Sequence, residues 1–461
     1  MIGAYLLVLL VSAGTTAALI PVALRVARRV GAIAMPNDRK VHDRPTPQFG
    51  GPAMMVGVMA GVGTAAFLGQ FRAMFESPAN IVGVLVSAMM IVAVGAIDDI
   101  REVSAPAKVA GIVLAGSVLV LSGLSIVNLP LPILGFTVLS PDMAALVTVL
   151  LILVVTNAVN LADGLDGLAS GMMAIASGAF LLYAVKLDDS GALTRGNVGP
   201  LIAVVTLGVC LGFLVWNFHP AKIFMGDSGA LLLGLLMASA SVAVGGQSDD
   251  SFTGQSWFFF APIVIPLLIL GVPLVDMTFA IVRRTTSGVG FATRDKDHLH
   301  HRLLRLGHGY RQTVVLLWAW TALLCAFALY PAITGKSTLM IPIAAAAGAL
   351  ALFTMLAPLV NRRAREVDRE LDEEIDRKRV EYEIRRSGSV PVVDSAQVAE
   401  AGCADQGVGR VDSDADPGPR AQMMVPVTRV PAGREVGDLR PRWASGHDRP
   451  AGERPSAPAG R

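Results

Sequence analysis

Eleven long apolar stretches dominate the chain, at 2–24, 50–70, 80–97, 107–124, 142–160, 167–185, 198–216, 228–246, 257–282, 313–333 and 339–360. Each approaches the roughly 20 residues that an α-helix needs to cross hydrocarbon. The pattern predicts an all-α polytopic membrane protein with about 11 transmembrane helices. The first stretch has no basic leader and no small-residue cleavage site, so it reads as a span and not as a signal peptide. Pro262, Pro266 and Pro273 predict kinks in the ninth span, which a bundle tolerates. The uncharged segment 125–141 predicts a small hairpin at the outer interface.

The periodicity changes at Asn361. Residues 361–386 alternate acid and base at helical spacing and predict a solvated charged helix. Residues 387–461 are rich in Pro, Gly, Ala, Ser, Arg and Asp and predict a disordered tail. The expected organisation is a membrane domain over 1–360, then the charged helix, then the tail.

Composition agrees with the pattern. The chain of 461 residues is 53% hydrophobic and 16% charged, against about a quarter charged in a soluble domain. That excludes a secreted disulfide domain, a coiled coil and a collagen-like chain. Net charge is +2, which gives no reason to expect nucleic acid as a partner. Of the three cysteines, Cys210 and Cys325 fall in apolar stretches and Cys403 in the tail, without zinc or disulfide spacing. Loops on the exit side of the first span carry sixteen Lys and Arg. The opposite loops carry four, Arg72, Lys186, Arg195 and Lys336. The positive-inside bias therefore puts the N-terminus outside and the tail in the cytoplasm.

Acids, amides and histidines cluster in five loops, all on the cytoplasmic side. The first holds Arg39-Lys40 and then Pro45-Thr46-Pro47-Gln48-Phe49-Gly50-Gly51, a stiff basic loop suited to an anion. The second is Asp98-Asp99 at a membrane boundary, either solvated at the interface or a Mg²⁺ site. The third, Asn157-x-x-Asn160-x-x-Asp163-Gly-x-Asp166-Gly, sets amides and acids on one helix face and then breaks the helix. Its spacing lacks the remaining ligands of a calcium loop.

In the fourth loop, Asn217 is followed by Lys222, Phe224, Gly226, Asp227, Ser228 and Gly229. Phe224 suits stacking on a planar base, and the helix that opens at Ser228 would favour an anion. Capping by Asp227 or Ser228 is the plainer alternative. The fifth holds His298-Leu299-His300-His301-Arg302, open between a metal site, a clamp for phosphate and sugar, and a basic stretch on anionic lipid. His308 reads as structural.

Together these motifs, in order and each in a cytoplasmic loop, resemble the polyprenyl-phosphate N-acetylhexosamine-1-phosphate transferases of bacterial envelope synthesis. The likeness covers about residues 1–360. The interrupted histidine run resembles the branch that uses UDP-N-acetylglucosamine, whereas the muramoyl-pentapeptide branch usually has three consecutive histidines. The first loop is similar to that of actinobacterial members, which implies decaprenyl phosphate as acceptor.

The resemblance implies transfer of GlcNAc-1-phosphate from UDP-GlcNAc to a polyprenyl phosphate, with release of UMP. This would be the first lipid-linked step of a cell-wall polysaccharide. It further implies Mg²⁺ as cofactor, with Mn²⁺ as a substitute, a bacterial plasma-membrane location and often a homodimer. As residue roles it implies Asp99 and Asp227 on the metal, and Asp98 orienting or deprotonating the lipid phosphate, with a covalent aspartyl role as alternative. Asn160, Asp163, Asp166, Asn217 and Phe224 would form the uridine side with Lys40 nearby, and Asn157 and Lys222 would also bind substrate. His298, His300, His301 and Arg302 would meet the sugar and diphosphate, His298 and His301 as catalytic groups. The rival class is a transporter. Against it stand the absence of an inverted repeat and the expectation that span middles lack charge.

Overall fold

The computed structural model describes residues 2–35, 45–131, 135–246, 267, 269–286, 302–304, 306–334 and 341–354. Lys40, His298, His300, His301 and the tail beyond Asn361 lie outside the described residues, as does much of the ninth predicted span. All described residues fall in the unit Met1–Val380.

The chain is built of apolar helices: α1 (Ile2–Val30), α2 (Gly50–Ala66), α3 (Arg72–Glu76), α4 (Ala79–Ile100), α5 (Ala105–Leu121), α6 (Pro141–Ala162), α7 (Leu168–Asp189), α8 (Gly199–Asn217) and α9 (Gly226–Gly245). After them come α10 (Gly271–Thr286), α11 (Tyr310–Thr334) and α12 (Ile341–Thr354). Among the described residues, 7 helices are long and apolar enough to cross a membrane. An eighth span results if α2 and the segment Gly69–Glu76, bent by 92°, are one crossing. α5 and α12 are shorter apolar helices.

Two features depart from a purely helical reading. β1 (Ile33–Ala34) pairs antiparallel with β2 (Thr46–Pro47). β3 (Asn128–Leu131) pairs antiparallel with β4 (Gly135–Val138), in the uncharged segment where a hairpin is expected. A third feature concerns charge. Asp276 lies inside α10, a helix of 16 residues, and is only 5% exposed.

α9 is the axis of the bundle. Every residue from Ser228 to Gly245 is buried, enclosed by α2, α4, α6 and α8. Its sequence allows this because small residues recur along it. A Cβ on Gly234 would run into the backbone of Thr156 in α6, so the two helices approach to backbone contact there. A second core joins Ala162, Leu165, Leu168 and Met172 to Val272, Leu303, Val314, Leu316 and Leu317. It ties the α6–α7 turn to the start of α11.

Candidate active site

The first N–H groups of a helix have no partner within it. At α9 the N-cap position is Met225, whose side chain caps nothing, and Gly226 turns the chain at φ +68°. The acceptor comes from another helix. Asp99, in the last turn of α4, takes the Asp227 N–H on Oδ1 at 2.8 Å. Its Oδ2 takes the Ser228 N–H at 3.3 Å and the Ser228 hydroxyl at 2.6 Å. Asp99 is 6% exposed. The sequence suggests a bound anion at this helix end, and the resemblance implies metal at Asp99. In the structure the Asp99 carboxylate itself is the anion at the helix end, and both its oxygens are engaged there.

Asp98, the neighbouring acid, turns the other way. Its Oδ1 accepts the Val103 N–H at 2.7 Å. Its Oδ2 pairs with Lys108 Nζ at 2.6 Å, and the same ammonium reaches Asp227 Oδ2 at 2.5 Å. Lys108, in the first turn of α5, thus links the end of α4 to the start of α9 through two carboxylates. The pair to Asp227 keeps both side chains 27% exposed, so the cluster is open to solvent.

The Pro-Thr-Pro-x-x-Gly-Gly stretch is zipped to the fourth loop by backbone. Phe224 N–H donates to Pro47 O at 2.9 Å, Gly50 N–H to Phe224 O at 3.1 Å, and Gly51 N–H to Met225 O at 3.1 Å. Gly51 and Gly95 both face Ser228, where a Cβ on either would overlap the Ser228 backbone. The glycines therefore serve close packing of α2 and α4 on the head of α9. Gln48 adds a bond from its Nε2 to Asp99 O at 3.2 Å.

Loops three and four also meet. Asn217 is 2% exposed. Its Oδ1 accepts from Gly167 N–H at 2.9 Å and Ser170 Oγ at 3.0 Å, and its Nδ2 donates to Ile223 O at 3.0 Å. Asp166 is buried too, and its Oδ2 accepts from His219 Nδ1 at 2.8 Å and Ala221 N–H at 3.0 Å. These two side chains, expected on the uridine side, are spent on fastening one loop to the other.

Residues 81–245 match the glycosyl transferase family 4 profile, a range that holds all of Asp98, Lys108, Asp163 and Asp227. Over 321 residues the chain is 39% identical to the decaprenyl-phosphate N-acetylglucosaminephosphotransferase of Mycobacterium tuberculosis, covering 67% of this chain and 79% of that protein. The chain belongs to glycosyl transferase family 4. It is also 40% identical over 303 residues to the Mycobacterium leprae protein of the same name, covering 64% of this chain and 76% of that protein. The phospho-N-acetylmuramoyl-pentapeptide-transferase of Mycobacteroides abscessus is 29% identical over 348 residues, covering 68% of this chain and 92% of that protein.

In this family 4 transferase the carboxylates are crowded. Asp163 follows the last residue of α6, its N–H on Asn160 O at 3.3 Å. Burial, and then the charges of Asp227, Asp99 and Asp166, push its pKa from the usual carboxylate range up to about 8. Asp163, expected on the uridine side, thus feels the charges of the acidic cluster. Among the described residues, no three His, Cys, Asp or Glu side chains stand in a metal-holding group.

The other expected residues are spread around this centre. Asn157 Nδ2 bonds Leu153 O one turn back at 2.8 Å. Asn160 is half-buried on the same helix. Phe224 is half-buried beside the α2 entry. Lys222 is exposed with Nζ 5.0 Å from the Trp216 ring centre, away from the Lys108 cluster in its contacts. Arg302 is exposed and lies in a helical turn whose next residue, Leu303, is buried in the second core.

Sequence reasoning missed Lys108, His219 and Tyr310. Lys108 registers only as loop charge, because nothing in its neighbours marks it. His219 sits stacked on Tyr310, ring centres 4.3 Å apart, and Tyr310 lies 144 positions from Asp166. No local spacing carries that pairing.

Proposed function

We propose that this transferase moves GlcNAc-1-phosphate from UDP-GlcNAc to a membrane polyprenyl phosphate, decaprenyl phosphate being the favoured acceptor. The observation that carries the reading is the meeting of Asp98, Lys108 and Asp227 at three helix ends at one end of an apolar bundle. A lipid phosphate arrives at an interface and a nucleotide from water, so their reaction belongs at such a place. The relatives' names supply the substrate class. A phosphate oxygen of the lipid attacks the sugar-bearing phosphorus, a new P–O bond forms, and the bond to UMP breaks.

Lys108 is a cation already positioned between two acids, ready to neutralise phosphate charge as it develops. Asp98, held by Lys108 and the Val103 N–H, orients the lipid phosphate. Asp99 holds the head of α9 in place. A Mg²⁺ ion takes oxygen ligands, commonly one or two carboxylates plus substrate phosphates. Asp227 and Asp163 fit that donor set, while Asp99 has its oxygens engaged. Bound there, Mg²⁺ would offset negative charge on the diphosphate. We further assign His298, His300, His301 and Arg302 to the sugar and diphosphate, and Lys40 to the nucleotide. Eleven spans, an outside N-terminus and a cytoplasmic site complete the proposal.

The test is transfer of radiolabel from UDP-GlcNAc to decaprenyl phosphate by purified full-length protein, with Mg²⁺ and with EDTA. UDP-MurNAc-pentapeptide runs alongside as donor. Mg²⁺-dependent labelling from UDP-GlcNAc alone is expected. Labelling from the muramoyl donor alone would overturn the donor assignment and keep the family.

A further inference from the structure

We infer that Tyr310 and His219 are positioning residues that lock the Asp163–Asp166 turn to the segment leaving the histidine loop. The inference rests on the proposed reaction for its meaning, and on geometry for its existence.

Asp166 is held at both ends. Its N–H donates to the Tyr310 hydroxyl, and its carboxylate accepts from His219 and from the Ala221 N–H. The His219 ring stacks on the Tyr310 ring at 30° between planes. One residue of the turn therefore carries contacts from α11 and from the loop after α8. A second set of contacts lies one turn along. Trp318 Nε1 donates to Leu168 O at 3.3 Å, its ring meets Phe218 at 6.3 Å, and a Cβ on Gly171 would overlap it. Just before Tyr310, Leu303 is buried in the core with Leu165 and Leu168, and His308 Nε2 lies 3.0 Å from Thr354 O.

The consequence concerns register. Asp163 is three residues from Asp166 and shares its turn. Arg302 ends the His298–Arg302 motif and is eight residues from Tyr310. A side chain on α11 that grips the turn fixes how far the motif's end stands from the carboxylates. Only a chain-distant latch can do this, because the two segments are joined by about 140 intervening residues.

Tyr310→Phe, His219→Ala, His219→Gln and the double variant Tyr310→Phe/His219→Ala are assayed as full-length protein for label transfer. Hydrogen exchange is followed over 160–170 in the same preparations. Tyr310→Phe keeps the ring and loses only the hydroxyl. It should lower kcat about tenfold, the scale of one lost bond to a buried group, and raise exchange at Asp166. His219→Gln, whose amide still donates to Asp166, should keep turnover within about threefold of wild type, and His219→Ala should lose about tenfold.

The two latch residues act through one residue, Asp166, so the double variant should fall well short of the product of the single losses. Multiplicative losses, equal losses in the Gln and Ala variants, or unchanged exchange at 160–170 would each overturn the inference. If wild type transfers nothing, the proposed reaction fails, and the exchange arm still decides the latch.

Discussion

At the scale of single residues, the site depends on where each carboxylate spends its oxygens. Asp227 is partly exposed and bonded through Oδ2 to Lys108. Asp227→Asn keeps the shape and removes the charge, so transfer should fall at least a hundredfold while the melting temperature stays near wild type, read by label transfer and a detergent melt. That magnitude is on the order of the loss of one electrostatic element of a transition state.

Asp163 gives a pH prediction. Its folded pKa, about 8, stands above the ordinary carboxylate value, so the folded state binds its proton more tightly than the unfolded chain. The stabilising effect of that proton is present in full below the unfolded pKa, roughly 4, and is lost as pH rises towards 8. Melting temperature without divalent cation should therefore fall across that window. Added Mg²⁺ should stabilise more at pH 8 than at pH 5. A cation effect that is equal at both values would remove Asp163 from the metal site.

Between elements, the decisive contact is α4 capping α9. Asp99→Ala would leave the Asp227 and Ser228 N–H groups without their acceptor and the Ser228 hydroxyl with Met225 O at 3.3 Å. The cost should be about 1–2 kcal/mol, as for other lost helix caps, and a lower unfolding midpoint in denaturant would show it. Unchanged stability with lost activity would instead return Asp99 to the metal.

The helices themselves were legible from hydrophobic runs, because lipid forces every backbone polar group into a helix or a closed sheet. The predicted span 142–160 sits inside α6, and 198–216 matches α8 to within one residue. The motifs located the site, since acids at helix ends near a membrane need a reason. What could not be read was pairing. That Asp99 caps a helix 127 positions away, that Lys108 sits between Asp98 and Asp227, and that Asn217 is buried all follow from helix packing. The sequence has no period for any of these.

For the whole molecule, the helix directions bind the site to one end of the bundle. The C-terminal ends of α4, α6 and α8 meet the N-terminal ends of α5 and α9, as the contacts of Asp99, Lys108 and Asn217 require. The β3–β4 hairpin connects α5 to α6, and so it belongs to the opposite end. Lys and Arg are concentrated in the loops at the site end, the bias on which the proposed cytoplasmic placement rests.

This makes orientation testable without any substrate. Cys210 and Cys325 are buried, so with Cys403→Ser as background a new cysteine reports alone. Val138→Cys places a thiol at a residue 67% exposed beside the hairpin, and a membrane-impermeant maleimide should label it in intact cells. Arg101→Cys, beside Asp98–Asp99, should react only after the membrane is opened. The reverse pattern would put the carboxylate cluster outside, where no UDP-sugar is made, and would sink the proposed reaction together with the orientation.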